Sequence, residues 1–306
     1  MKKRAFTMVE LILVIVIFGI IASIGASMIA TMYQNYIYAR TVNYLQAQSD
    51  ITLQQIAKRL QYRIKDTTVA LRTDNGDILQ LADANVNEDY DVIQWIGYSN
   101  EAMLNAGGNP GWSGFIDLDS AGTSSIGSTL STPGSDLDFA DRIISALTNN
   151  DVNMGNGRVA LIFKGIPETI VLNKVEGYNW DSTGIKSDYT VLVSSNGADM
   201  FNMVDVNLPS SIYEQYYLAH TAYAIVPSNL RSGSDIDLDL ELRYNFQPWR
   251  IGSTYVTASS ALLATNVNLF RVRQTGSTIR LKLCLHDNMR SGTGDYIVTC
   301  KEEVVL

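Results

Sequence analysis

The chain opens on an apolar run. From Leu11 to Thr31 nearly every residue is apolar or small, and between Ala5 and Ala39 the one charged side chain is Glu10. Twenty-one residues at about 1.5 Å each span roughly 30 Å, the thickness of a bilayer's hydrocarbon core, so the pattern predicts a helix that crosses a membrane over about 11–31. Between Met32 and Asp66 there is no Gly or Pro, and Tyr33, Ile37, Tyr44, Leu45, Leu53, Ile56, Leu60 and Ile64 recur mostly at spacings of three, four or seven. That periodicity traces one face of a helix. The two patterns join into a single spine helix over 6–66, its first half in lipid or in a filament and its second half packed on a globular head. β-branched Thr67-Thr68-Val69 ends it. An anchor followed by a coiled-coil stalk is the alternative, and the irregular heptad fits it less well.

Beyond residue 68 the period becomes two. Val92 to Tyr98, Arg158 to Lys164, Thr169 to Val175, Tyr189 to Ser194, Tyr216 to Val226, Asp235 to Phe246, Asn266 to Gln274, Thr278 to His286 and Tyr296 to Val304 read as strands between Gly, Asn, Asp or Pro turns. The last strands have short connections, which favours antiparallel pairing. The stretch 100–135, rich in Gly and Ser, reads as an extended surface loop, and Ser135 as the cap of a short helix whose apolar face is Leu137, Ile143, Ile144 and Leu147. The expected fold is α+β: a long N-terminal helix packed against an antiparallel β-sheet head over 67–306.

Charge sets the orientation. Lys2, Lys3 and Arg4 precede the apolar run and no basic residue follows until Arg40, so the N-terminus stays in the cytoplasm and the head lies outside. A cleaved secretory signal shares this basic head and apolar middle, with small residues from Ala22 to Ser27 as its cleavage site. Glu10 argues against it, because a carboxylate in a membrane helix is costly and a disposable signal has no use for one. A net charge of -8 offers phosphate backbones no general attraction, which argues against nucleic acid as a partner. Two cysteines and two histidines, His220 and His286, leave little material for a metal cage or a catalytic triad, and no nucleophile elbow, phosphate-binding loop or zinc-protease motif appears. No residue is assigned a catalytic role.

The segment Lys2-Lys3-Arg4-Ala5-Phe6-Thr7-Met8-Val9-Glu10-Leu11-Ile12 resembles the leader of type IV pilins and type II secretion pseudopilins. It shows a short basic leader over 1–5, a small residue, Phe, and Glu four residues after the Phe. The resemblance covers about the first 30 residues. It implies that a prepilin peptidase cuts between Ala5 and Phe6, that the Phe6 amine is methylated, and that the helix is kept. It further implies a bacterial inner-membrane protein, single pass with a periplasmic head, whose partners are other pilins or pseudopilins and an inner-membrane assembly platform. Two positions depart from the family. Ala5 stands where Gly is usual, and Gly25 and Ser27 occupy the neighbourhood where many pilins carry Pro. The head's size is most like that of a large minor pseudopilin or minor pilin. In the filament, Glu10 is expected to meet the Phe6 amine of a neighbour.

Three head features carry chemistry. If residues 278–304 form a hairpin turning at Gly292, Cys284 and Cys300 stand opposite each other, and an oxidising compartment permits a disulfide; two unpaired buried thiols are the alternative. Asp235, Asp237, Asp239 and Glu241 alternate with apolar residues and read as a solvated strand face. Asp117 and Asp119, in a loop, are the weak calcium candidates, and calcium is the one cofactor entertained. A ligand-binding role, a filament-tip adhesin, would draw on Trp95, Trp112 and Trp180 if these aromatics stand in loops. A tethered enzyme would need His220 or His286 beside acids in a concave site.

Overall fold

The computed structural model describes residues 7–104, 108–124, 128–166, 174–180, 189–204, 211–228, 237–287 and 297–306. Helix α1 runs from Met8 to Gln61, roughly 80 Å at 1.5 Å per residue. Thr7 caps it, its hydroxyl accepting from the Glu10 N–H at 3.4 Å. The helix passes through Gly19 and Gly25 unbroken, with Ser27 and Thr31 hydroxyls donating back to the Ile24 and Ser27 carbonyls. It ends at Gln61 rather than near Asp66 because the sheet competes for the backbone: Arg63 bridges to Gly97, and the Ile64 N–H donates to the Ile96 carbonyl at 2.9 Å. The buried Arg63 guanidinium donates to the carbonyls of Leu60, Ser277 and Leu306. It thereby pins the negative end of the helix dipole to the sheet.

The long apolar stripe expected along the spine divides in two. Leu45, Ser49, Thr52, Leu53, Ile56 and Leu60 are buried, with the Thr52 hydroxyl donating to the Leu263 carbonyl and Asp50 paired to Lys301. Tyr33, Tyr44 and Ile51 are exposed, with Ile37 half-buried beside them. At 100° per residue this second stripe lies about 135° from the centre of the buried arc, so the head covers one and leaves the other.

The described strands of the head are β1 (Val69–Leu71), β2 (Ile78–Gln80), β3 (Val92–Tyr98), β4 (Thr129–Ser131), β5 (Val159–Phe163), β6 (Thr190–Ser195), β7 (Met200–Met203), β8 (Tyr216–Ser228), β9 (Leu238–Phe246), β10 (Ser259–Thr275), β11 (Thr278–His286) and β12 (Val298–Val305). They form one sheet in the order β12-β11-β10-β9-β8-β5-β6-β7-β4, with β3 paired to β8 and β1, and β1 to β2. Every described pairing is antiparallel. The head is α+β as expected, with the spine packed chiefly on β12 and β11.

Both faces of the sheet are covered. On one face the spine's Leu53, Ile56 and Leu60 meet Trp95, Ile225 and Leu281. Farther along, helix α3 (Leu137–Leu147), which follows the single-turn α2 (Asn100–Met103), sets Leu137, Ala140 and Ile144 against Leu161, Phe201 and Leu218. The opposite face buries Leu71, Ile96, Ile162, Trp180, Ala222 and Phe246.

Several expectations need correction. The stretch 100–135 is not a surface loop throughout: it contributes α2 and β4 and buries Trp112, Ile116 and Leu130. Three of its hydroxyls are engaged within the head, since Thr132 Oγ1 lies within 3.0 Å of Ser113 Oγ, Ser135 Oγ and Tyr216 Oη. Ser135 is therefore engaged, and Asp136 caps α3 instead, accepting from the Phe139 N–H at 3.0 Å. Leu147 is exposed rather than part of the buried face. Of the strand expected over Thr169–Val175, 169–173 lie outside the described residues, and Lys174–Gly177 form a helical turn, α4. β1, β2, β4 and β7 were not anticipated, being too short for alternation to register.

Candidate functional site

Ala5 and Phe6 lie outside the described residues. Glu10 stands in the first turn of α1, where an anion complements the helix dipole. From Leu11 to Met32 the large apolar side chains are exposed and none packs on the head. The helix is long and apolar enough to cross a membrane, and the lipid-length segment is presented bare, on a helix whose other half is locked into a folded head.

The C-terminal hairpin has the expected register. Cys284 opposes Cys300 in the β11–β12 ladder and the two are joined by a disulfide. The bridge ties the edge strand to its neighbour beside the spine, where β12 also carries the Lys301 partner of Asp50.

The tryptophans are core residues. Trp95, Trp112 and Trp180 are 0, 2 and 5% exposed, Trp112 donates to the Ser99 carbonyl and Trp180 to the Thr67 carbonyl. Trp112 and Trp180 lie outside the helices and strands, but all three side chains are buried and none is presented to a surface ligand.

The acidic strand is not a solvated face. Asp235 lies outside the described residues, while Asp239 is 6% exposed, Glu241 accepts from Ser228 Oγ and pairs with Arg243, and Asp237 Oδ1 lies 3.5 Å from His286 Nε2. The cause is position: β9 is interior, flanked by β8 and β10, so cross-strand neighbours shield its side chains. In the loop at Asp117, one carboxylate oxygen accepts from the N–H groups of Asp119 and Ser120, the geometry of a turn closed on itself. Among the described residues no group of three or more His, Cys, Asp or Glu side chains converges as a metal ligand set.

His220 is buried on β8 with Nδ1 2.9 Å from Ser99 Oγ. Burial pulls its pKa down to about 4, so the ring is neutral at ordinary pH. Among the described residues no carboxylate is hydrogen-bonded to its ring. The groove around it, lined among others by Arg59, Gly97, Glu101, Tyr223 and Tyr244, gave no motif in the sequence, because residues from α1, α2, α3, β3, β8, β9 and β10 meet there only in the fold.

Comparison with known proteins yields one match: residues 1–26 fit the family model described as the prokaryotic N-terminal methylation motif. No curated protein matches the chain, and no solved structure does. The chain thus carries the N-terminal methylation motif of the type IV pilin and pseudopilin family, set on a long apolar helix that leads into an antiparallel β head.

Proposed function

We propose that this chain is a minor pseudopilin or minor pilin, a structural subunit of a type II secretion or type IV pilus-like filament. Its work is assembly rather than catalysis. The observation that carries the reading is the division of α1: one end is bare, apolar and marked by a single carboxylate, and the other is anchored in the head. The uncovered stripe of Tyr33, Ile37, Tyr44 and Ile51 supports it further, since a neighbouring helix would bury what the chain's own head does not. Processing falls between Ala5 and Phe6 by a prepilin peptidase, with methylation of the Phe6 amine. The precursor sits in the bacterial inner membrane, head periplasmic, until an assembly platform extracts it into the filament. Some 240 residues follow the helix, a head large for a repeating subunit, which favours a minor position.

Glu10 tests the assembly step. A carboxylate in lipid is relieved when it meets the cationic amine of a neighbour, and leaving one of two buried charges unpaired costs about 3–5 kcal/mol. Glu10→Ala is expected to leave cleavage after Ala5 intact while recovery with the other filament subunits falls at least about a hundredfold. Co-purification of both forms at equal processing measures it. Equal incorporation of the variant contradicts charge pairing as the driving contact.

A further inference from the structure

The exposed large side chains of α1 above the apolar segment are arranged in two ways. Tyr44 and Ile51 follow Tyr33 within about 20° of azimuth at 100° per residue, a stripe along the axis that one neighbouring helix can cover. Tyr33, Tyr36 and Tyr38 instead form a band across the axis. Tyr36 and Tyr38 point about 160° apart, and the three side chains are 65, 60 and 57% exposed. No single helix packed alongside could cover all of them, and the head buries the spine only from Leu45 onward.

The band sits where a lipid-length segment ends. Leu11 to Thr31 fills the roughly 30 Å of a hydrocarbon core, and a headgroup layer adds about 5–7.5 Å on each side of it. Tyr33 to Tyr38 rises about 7.5 Å along the axis, so the three rings occupy the depth of one such layer. Tyr44 stands about 9 Å beyond Tyr38, clear of it. Tyrosine suits a membrane–water interface because its ring is apolar and its hydroxyl stays wet. Arg40 completes the band. It is exposed, and the positions three and four residues away on either side are Tyr36, Ile37, Asn43 and Tyr44, none of them an acid. The nearest acid on the helix, Asp50, is paired with Lys301. A guanidinium on a long stem at that height reaches a lipid phosphate, the anion it matches best in geometry.

We infer that Tyr33, Tyr36, Tyr38 and Arg40 dock in the phospholipid headgroup layer on the head's side of the membrane, with lipid phosphates meeting Arg40 and the tyrosine hydroxyls, and so fix how deep α1 sits. The inference rests on the membrane-spanning reading of α1 and divides its uncovered residues between two partners. The band meets lipid before assembly, and Tyr44 and Ile51 are left for a neighbouring subunit. Because Leu45 follows Tyr38 by about 10 Å, the docked band holds the head close over the bilayer surface.

The test uses the full chain in phosphatidylcholine vesicles. Cys284 and Cys300 are bonded to each other and leave no free thiol, so Ala30→Cys, Asn35→Cys, Ala39→Cys, Asn43→Cys and Ala47→Cys, one at a time, carry a spin label. Its relaxation by oxygen against a water-soluble nickel chelate reads the depth of each position. The label is expected in hydrocarbon at residue 30, in the headgroup layer at 35 and 39, and in water at 43 and 47. Changing Tyr33, Tyr36 and Tyr38 together to Ala is expected to move this boundary by about one helical turn, roughly 5 Å, whereas Trp at the same three positions keeps it and Tyr44→Ala leaves it in place. A boundary beyond residue 43, one unmoved in the triple Ala variant, one displaced as far by Trp as by Ala, or one moved equally by Tyr44→Ala overturns the docking while the span stands. A label in water at residue 30 overturns the docking together with the membrane reading beneath it.

Discussion

His220 makes the head's stability depend on pH. Its pKa is lowered by burial to about 4, below its value in an unfolded chain of about 6.5, so between those values the unfolded chain binds the extra proton. The stabilisation is complete above about pH 6.5, is lost as pH falls toward 4, and amounts to about 3 kcal/mol for a fully buried ring. Urea unfolding at pH 7 and pH 4.5 is expected to show that loss in the wild type and a smaller one in His220→Asn, which has nothing to protonate; equal losses would mean that other groups govern the acid limb. The three buried tryptophans differ in the same physical terms. Trp112 and Trp180 donate to carbonyls at 2.8 and 3.0 Å, whereas the Trp95 indole N–H has no acceptor among the described residues. Trp180→Phe strands the Thr67 carbonyl and is expected to cost about 1–3 kcal/mol beyond lost area, Trp112→Phe costs less because the Ser99 carbonyl keeps the Met103 N–H at 3.2 Å, and Trp95→Phe removes an unpaired donor and costs least. Chemical denaturation of the three variants ranks them, and a Trp95 variant as damaged as the others would contradict the ranking. The sequence pointed to these tryptophans only as aromatic residues; their burial depended on which strands became neighbours.

At the level of elements, legibility followed length. β3 and β11 have the expected bounds, and β5, β8, β9, β10 and β12 lie within or across theirs, because seven or more alternating residues outweigh local noise. The spine was legible as a helix but not in how its faces are used: Tyr33 and Tyr44 share the three-four-seven spacing with Leu53 and Ile56, yet only the latter pair meets the sheet. The stretch 100–135 misleads through its composition, since a Gly- and Ser-rich run reads as solvent-exposed where Thr132, Ser135 and half-buried Ser113 in fact join Tyr216 in a hydroxyl network. The β11–β12 register was legible from a hairpin centred on Gly292, which sets Cys284 opposite Cys300, and their bridge gives the hairpin a role. A sequence separation of 16 corresponds to about 3 kcal/mol in the chain-entropy account of a disulfide. Cys300→Ser is therefore expected to lower the melting temperature by several degrees and to loosen β12 first, detected as faster amide exchange at Thr299 and Lys301 than in β8. An unchanged melting temperature would show that the contacts of α1 with β12, including Asp50 with Lys301, hold the edge strand unaided.

Across the whole molecule, two solvents are written into one helix. The segment from Leu11 to Met32 satisfies its backbone internally and exposes only apolar or small side chains, as lipid requires, and from Leu45 onward the same helix buries a stripe against an antiparallel sheet. The first half was legible in the sequence because apolarity over a bilayer's length needs no tertiary partner to be recognised. The groove around His220 was not, since it arises from a bulge and a missing side chain at Gly97. The methylation motif over residues 1–26 joins the two halves, and the proposed function adds that the helix is kept, its leader removed and the new amine set opposite a neighbour's Glu10 in a filament. The N-terminal mass of the protein extracted from membranes tests this most directly. A chain beginning at Phe6 with a methylated amine is the predicted result; an intact Met1, or a start between Ser23 and Ser27, would contradict it.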